Sequence, residues 1–158
     1  ASDRKLIEKV KDLRDYDGKG DGFLRYNYKL TDLQAALGSV QLRKLPSFIG
    51  RRRAIARRYD ESLRSCGLSL PVSPADCGPI YYRYVIRTDR LPELLAAGQA
   101  AAIAYRRPVF KPLHRYLGAT GYPQTEEVFR TALSLPIYPS LEDRDVQTIV
   151  RHVQSILR

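Results

Sequence analysis

Methionine and tryptophan are absent, cysteine and histidine occur twice each, and no apolar run approaches the roughly 20 residues that a membrane-crossing helix needs. Each shortage excludes something. Cys66 and Cys77 form neither a close-set metal-ligand pattern nor a disulfide scaffold, so reduced thiols in a cytoplasmic setting are expected. The opening ASDRKLIEKVKDLRD is charged and helical in pattern, without the apolar segment and small-residue cleavage site of a secretion signal. With no methionine even at position 1, the expectation is a piece of a longer chain. Of the two histidines, His152 falls between core positions of a helix, where packing or surface exposure is a better reading than catalysis. No GxGxxG, Walker, HExxH or GxSxG pattern occurs. On these grounds the chain reads as an accessory or substrate-facing domain.

What is present in excess is positive charge. Against 17 acidic residues stand 27 lysines and arginines, a net charge of +10 that attracts an anionic partner, either nucleic acid or a phosphorylated small molecule. The densest cluster, Arg51, Arg52, Arg53, Arg57 and Arg58, spreads over more than half of a helix circumference and is interleaved with Ile55, Ala56 and Tyr59. That dispersion predicts a solvated helix face before a binding surface. Because no aromatic stacking platform lies among these arginines, nucleic acid is not the expected partner.

Length and apolar content (44% of 158 residues) suffice for one sizeable core and not two. Ser2 to Leu13 carries Leu6, Ile7, Val10 and Leu13 at helical spacing, and the glycines of DYDGKGDG then break the pattern. Asp15 and Asp17 occupy the first and third positions of a calcium loop, but Lys19 at the fifth and Tyr26 at the twelfth remove two ligands, so calcium is rejected. Thr31 and Gln34 have capping-box spacing. The helix they open has Leu33, Leu37, Val40 and Leu45 on its apolar face; Pro46 is expected to interrupt it, and Phe48, Ile55, Tyr59 and Leu63 resume the period. Strands are predicted at Tyr81–Ile86, within Ala101–Val109 and within Ala132–Ile137. Helices are predicted at Leu91–Ala97, at Glu126–Thr131 and, capped by Ser140, through the Val146, Ile149, Val150, Val153, Ile156 stripe. Long helices followed by interspersed strands describe an α+β fold, a two-layer sandwich of helices on a small, mainly antiparallel sheet.

Two segments carry more than structural filler. In Arg25-Tyr-Asn-Tyr-Lys-Leu-Thr-Asp-Leu-Gln-Ala-Ala-Leu-Gly38, aromatic, amide and basic groups precede a capped helix. In Arg106-Arg-Pro-Val-Phe-Lys-Pro-Leu-His-Arg115, two prolines stiffen a loop bearing four cationic groups and His114, chemistry suited to a phosphate-bearing ligand.

YNYKLTDLQAALGSVQLRKL followed by RRRAIARRYDESL resembles the start of the carboxy-terminal half of DegT-type sugar aminotransferases, and PVFKPLHRYLG with TEEVFRTALSLPIYPSLEDRDVQTIV resembles the rest of that half. The likeness runs from about Asp3 to the end. It implies the carboxy-terminal part of a fold type I enzyme that uses pyridoxal phosphate to move an amino group from glutamate or glutamine onto a keto-sugar carried by a nucleotide. It also implies that the Schiff-base lysine, the aspartate at the pyridine nitrogen and the ring stacked on the cofactor belong to a large amino-terminal domain. Residues 1–30 then form an arm at the end of that large domain, residues 31–158 the small domain, and the complete enzyme a homodimer. By the same resemblance Asn27, with Lys29 second, contacts the cofactor phosphate across the dimer; the plainer role for Asn27 is to cap the turn before Thr31. Arg107, Lys111 and His114 are implied as substrate contacts, against a basic loop without a ligand. A free-standing binding module derived from the same fold, with a basic surface for an acidic partner or nucleic acid, is the competing reading.

Overall fold

The computed structural model describes residues 3–20 and 22–158; Ser2, where the first helix was expected to begin, and Asp21 of the glycine loop lie outside the described residues. The chain divides into two compact units, Ala1–Lys44 and Leu45–Arg158.

In the first unit, helix α1 (Arg4–Leu13) is capped by Asp3, whose carboxylate accepts from the Lys5 and Leu6 N–H groups. The segment after the glycine loop is tied back to the end of α1 by two backbone bonds, Tyr26 N–H to the Leu13 carbonyl at 2.8 Å and Tyr28 N–H to the Arg14 carbonyl at 2.9 Å. The Thr31 hydroxyl accepts from the Gln34 N–H, and the Gln34 amide oxygen accepts from the Thr31 N–H at 3.0 Å. This is the capping box the spacing predicted. It opens α2 (Asp32–Leu63), and the boundary between the units falls within this helix.

Pro46 does not interrupt α2, contrary to the sequence expectation. Proline fixes φ near a helical value and removes a single donor, so the hydrogen-bond ladder can close on both sides at a cost of about 3 kcal/mol. Burial differs along the helix. Leu33, Leu37 and Leu45 are exposed, whereas Ile55, Ala56, Tyr59 and Leu63 are buried.

In the second unit, β1 (Tyr84–Arg87) and β2 (Ala132–Leu135) form an antiparallel pair with Tyr84 opposite Leu135 and Ile86 opposite Leu133. These four side chains enter the core. By the two-residue period of a strand, Val85 and Arg87 share the other face with Ala132 and Ser134. Each edge of the pair gains one isolated bridge, Ser69 to Arg87 and Arg106 to Ser134. The second strand expected within Ala101–Val109 is thus reduced to one residue. Pro108 has no N–H to continue a ladder and restricts Arg107 before it. The first strand starts at Tyr84 and not Tyr81, because Tyr81 sits at φ +48° and breaks the extended run.

The remaining helices are α3 (Leu91–Ala100), the single turn α4 (Leu113–Tyr116), α5 (Pro123–Thr131) and α6 (Asp143–Leu157). Ser140 does not cap α6: Glu142 is the N-cap, and its N–H donates to the Asp145 carboxylate at 3.3 Å. The core joins Ile55, Tyr59 and Leu63 of α2 to the inner sheet face, to Leu91 and Leu94 of α3, and to the predicted stripe Val146, Ile149, Val150 and Val153 of α6. Two buried phenols are satisfied, Tyr59 donating to the Pro136 carbonyl at 2.8 Å and Tyr84 to Asp60 at 2.5 Å. Desolvation pushes both well above the ordinary phenol value.

Helix α3 ends in two reversed bonds, Ile103 N–H to the Gly98 carbonyl at 2.8 Å and Ala102 N–H to the Gln99 carbonyl at 3.3 Å. That is a Schellman ending, in which the residue at φ +55° is alanine where glycine is usual. A non-glycine residue in this conformation costs about 1–2 kcal/mol, offset in part by the larger entropy loss of glycine, about 0.5–1 kcal/mol. Ala102→Gly is therefore expected to stabilise the chain by about 0.5–1 kcal/mol and raise the thermal midpoint by roughly 2 °C. A calorimetric midpoint that falls or stays put contradicts this account of the turn.

Candidate functional site

The glycine loop of the first unit is an ion-pair network. Asp12 accepts from Lys19 at 2.9 Å and from Arg25 at 3.2 Å, and Arg25 also donates to the Gly20 carbonyl at 2.8 Å. These bonds hold the Asp12 carboxyl below its usual range. Lys29 is bonded to Asp17 and lies 3.2 Å from Asp15, and the two carboxylates raise its pKa, so it is a firmly charged ammonium. Asp15 and Asp17, the two residues that mimicked a calcium loop, are the partners of this lysine. Tyr26 and Tyr28 stack with ring centres 5.0 Å apart. Between them Asn27 is exposed, and among the described residues its side chain makes no hydrogen bond. The turn before Thr31 is closed by Gln34, not by Asn27.

In the second unit, the 107–113 loop and α5 enclose a cleft of about 660 Å³ over the outer face of the sheet, lined by Val85, Val109, Lys111, Leu113, Val128 and Phe129 among others. Among the described residues Lys111 is the one cation lining it, and the Lys111 ammonium lies 4.4 Å from the Tyr116 ring centre. The other two predicted contacts are turned to structural partners. Arg107 donates to the Phe129 carbonyl at 2.6 Å and covers that ring at 4.9 Å. The His114 ring nitrogen Nε2 meets Glu126 at 2.6 Å, and Arg115 is paired with the same carboxylate. Arg115 first and His114 second pull the Glu126 carboxyl down to about 2. The loop is thus strapped to α5 by one acid, a role invisible in sequence because Glu126 lies 12 residues beyond His114 on a separate helix.

Four of the five clustered arginines are engaged within the fold, against the solvated face that the sequence predicted, and Arg57 is exposed as predicted. Arg51 and Arg58 both grip Asp143, the first residue of α6. Arg52 donates to the carbonyls of Tyr81, Tyr82 and Ile137 at 2.9–3.1 Å, and Arg53 to those of Gly78 and Pro79. Their partners are 25 to 92 residues away, so no local pattern could reveal them. His152 receives the Tyr105 hydroxyl contact at 3.1 Å, in keeping with a packing role.

Residues 3–154 match the model of the DegT/DnrJ/EryC1/StrS aminotransferase family. The chain belongs to this family. Among its relatives in the DegT/DnrJ/EryC1/StrS family is a dTDP-4-dehydro-2,3,6-trideoxy-D-glucose 4-aminotransferase of Saccharopolyspora spinosa, 38% identical over 78% of this chain and 34% of the relative. The solved structure of S. venezuelae DesV in complex with a ketimine intermediate superposes with a TM-score of 0.88 at 30% identity, covering 100% of this chain and 46% of that one. The PLP form of a sugar aminotransferase from Streptococcus pneumoniae, with a TM-score of 0.84 and 21% identity, covers 99% of this chain and 44% of its own, and shares the fold. The chain therefore spans less than half the length of each. Among the described residues of this family member, no helix is long and apolar enough to cross a membrane.

The Glu126 strap makes a pH prediction. A carboxyl whose folded pKa is depressed contributes stability above its unfolded value near 4.5, lost as pH falls toward about 2. A carbon-detected NMR titration should place the Glu126 midpoint near 2 in the wild type. In Arg115→Gln it should move up toward 4.5. A wild-type midpoint already at 4.5 contradicts the strap.

Proposed function

We propose that this chain is the carboxy-terminal part of a pyridoxal-phosphate-dependent aminotransferase acting on nucleotide-linked keto-sugars in the cytoplasm, and that it supplies cofactor, substrate and homodimer contacts but not the Schiff-base lysine. The observation that carries this reading is the family match over residues 3–154, by a chain covering only 46% of DesV. In this reading residues 1–30 are the arm that closes a large domain supplied by the rest of the enzyme, and residues 31–158 form the small domain. Its helices lie on the antiparallel pair as a two-layer sandwich.

The residues present fit one end of the cofactor. Asn27 offers an exposed amide with no competing bond among the described residues, as a phosphate contact requires. Lys29, the second candidate, is already held by two carboxylates, which leaves Asn27 the better donor. The aldehyde end needs a neutral amine, and Lys29 is driven the other way. When bound, pyridoxal phosphate supplies the electron sink for amino transfer. On the substrate side, Lys111 faces the cleft, while Arg107 and His114 hold the loop that forms its wall. The engagement of four clustered arginines within the fold counts against a free-standing module that binds nucleic acid through them.

The test has two parts. After incubation with pyridoxal phosphate and borohydride, mass spectrometry of this chain is expected to find no stoichiometric adduct at any single lysine; one such adduct would retire the proposal. In a complete enzyme carrying this segment, Asn27→Ala should weaken cofactor retention roughly tenfold or more, the worth of a charge-assisted bond of about 1.5–3 kcal/mol. Hybrid dimers of that variant with one lacking the Schiff-base lysine should recover activity if the contact is made in trans. Unchanged retention, or no recovery in verified hybrids, returns Asn27 to a turn residue.

A further inference from the structure

The apolar cleft has two walls of different origin. Val109, Lys111 and Leu113 stand on one, in the loop, and Thr125, Val128 and Phe129 stand on the other, on α5. The α5 wall is framed by its own helix. The loop wall has no such frame: Pro108 and Pro112 have no N–H to donate, and among the described residues no backbone–backbone hydrogen bond involves residues 107–111.

Two side-chain anchors on α5, one turn apart, fix the loop instead. Near its start, Arg107 donates to the Phe129 carbonyl at 2.6 Å, with its guanidinium 4.9 Å from the Phe129 ring centre. Just past its end, the Oε1 atom of Glu126 meets His114 Nε2 at 2.6 Å and accepts from Arg115 Nε at 2.7 Å, and the Arg115 guanidinium lies 4.8 Å from the same Phe129 ring. Glu126 is not among the residues that line the cleft, so whatever it does to a ligand there it does through the loop. An ionised carboxylate only accepts, which requires His114 Nε2 to carry the hydrogen of that bond. With its carboxyl held down to about 2, chiefly by Arg115, the anchor stays ionised through the neutral range.

We propose that Glu126 is a positioning residue that sets the gap between the two walls, and through it how tightly the cleft holds a sugar ring. Without Glu126 the loop keeps its Arg107 anchor, but its far end, bearing Lys111 and Leu113, is free to leave α5. The substrate must then order the loop on binding, a cost that falls on the ground state and the transition state alike, so KM rises while kcat holds. Glutamine keeps an acceptor for His114 and loses the charge that answers Arg115, which makes it a partial rescue. The sugar as occupant rests on the substrate class proposed above; the anchors lie wholly within this chain.

The test uses a complete enzyme that joins this chain to the remainder of the S. spinosa relative, with that relative's own keto-sugar as the probe. Glu126→Ala is expected to raise KM for the keto-sugar about tenfold with kcat unchanged within about twofold, and Glu126→Gln to raise KM about threefold. The glutamine variant keeps the size of the side chain and carries the test where the alanine variant does not fold. Glu127→Gln, on the same helix but paired with Arg130, should change neither constant. The two histidines supply a second readout: diethyl pyrocarbonate should modify His114 several-fold faster in the Glu126 variants than in the wild type, while His152 keeps its rate. A KM unmoved by both Glu126 substitutions, a fall in kcat as large as the rise in KM, an equal effect of Glu127→Gln, or His114 reacting at the wild-type rate would overturn the role. When the wild-type joined enzyme is active and only these signatures fail, the positioning claim falls alone; when the wild type transfers no amino group, the substrate reading falls with it.

Discussion

The burial of the second half of α2 against the sheet is the contact on which the Leu45–Arg158 unit depends. The Tyr59 and Tyr84 rings meet there at 4.9 Å, and each hydroxyl is bonded, to Pro136 and to Asp60. Fully burying Ile55, Leu63 or Ile86 stabilises by roughly 1.5–3 kcal/mol each, so this seam outweighs any single surface ion pair. It also decides which face of β1 and β2 is left for ligands. With Tyr84, Ile86, Leu133 and Leu135 turned to the core, Val85, Ala132 and Ser134 must line whatever opens on the other side.

Positive charge is the second organising quantity, and its uses differ by place. Arg51 and Arg58 converge on Asp143 at the first turn of α6, where an acid also complements the helix dipole. Arg52 and Arg53 satisfy carbonyls of the irregular 78–82 segment, which has few backbone partners of its own. Arg115 and His114 converge on Glu126. The recess beside Ser134 gathers Arg52, Arg83 and Arg106 without a carboxylate among its lining residues.

The legibility of these features in sequence follows the distance over which each is decided. Helices α3, α5 and α6 and the Thr31–Gln34 capping box are local patterns of period and capping, and they could be read directly. Helix α2 was read as two because proline was given its local meaning, while the ladder on either side tolerates one missing donor. The strand expected near Arg106 failed because β propensity says nothing about where a pairing partner runs, and Pro108 stops the pairing. At the site, the prolines and cations marked out the loop bearing Lys111, and that loop lines a cleft with α5. The turning of Arg107 and His114 to Phe129 and Glu126 was not legible, nor was the recess at Ser134, because both depend on register and on contacts between distant segments.

The central claim is that this chain brings a small domain competent for amino transfer and needs a large domain to act. The most direct measurement is the activity of a chimera in which this chain replaces the matched carboxy-terminal part of the S. spinosa relative, assayed for amination of that relative's own keto-sugar. The account predicts that the chimera retains pyridoxal phosphate and forms the amino sugar, while neither this chain nor the truncated relative does so alone. A folded chimera that holds no cofactor, or holds it and transfers no amino group, would contradict it.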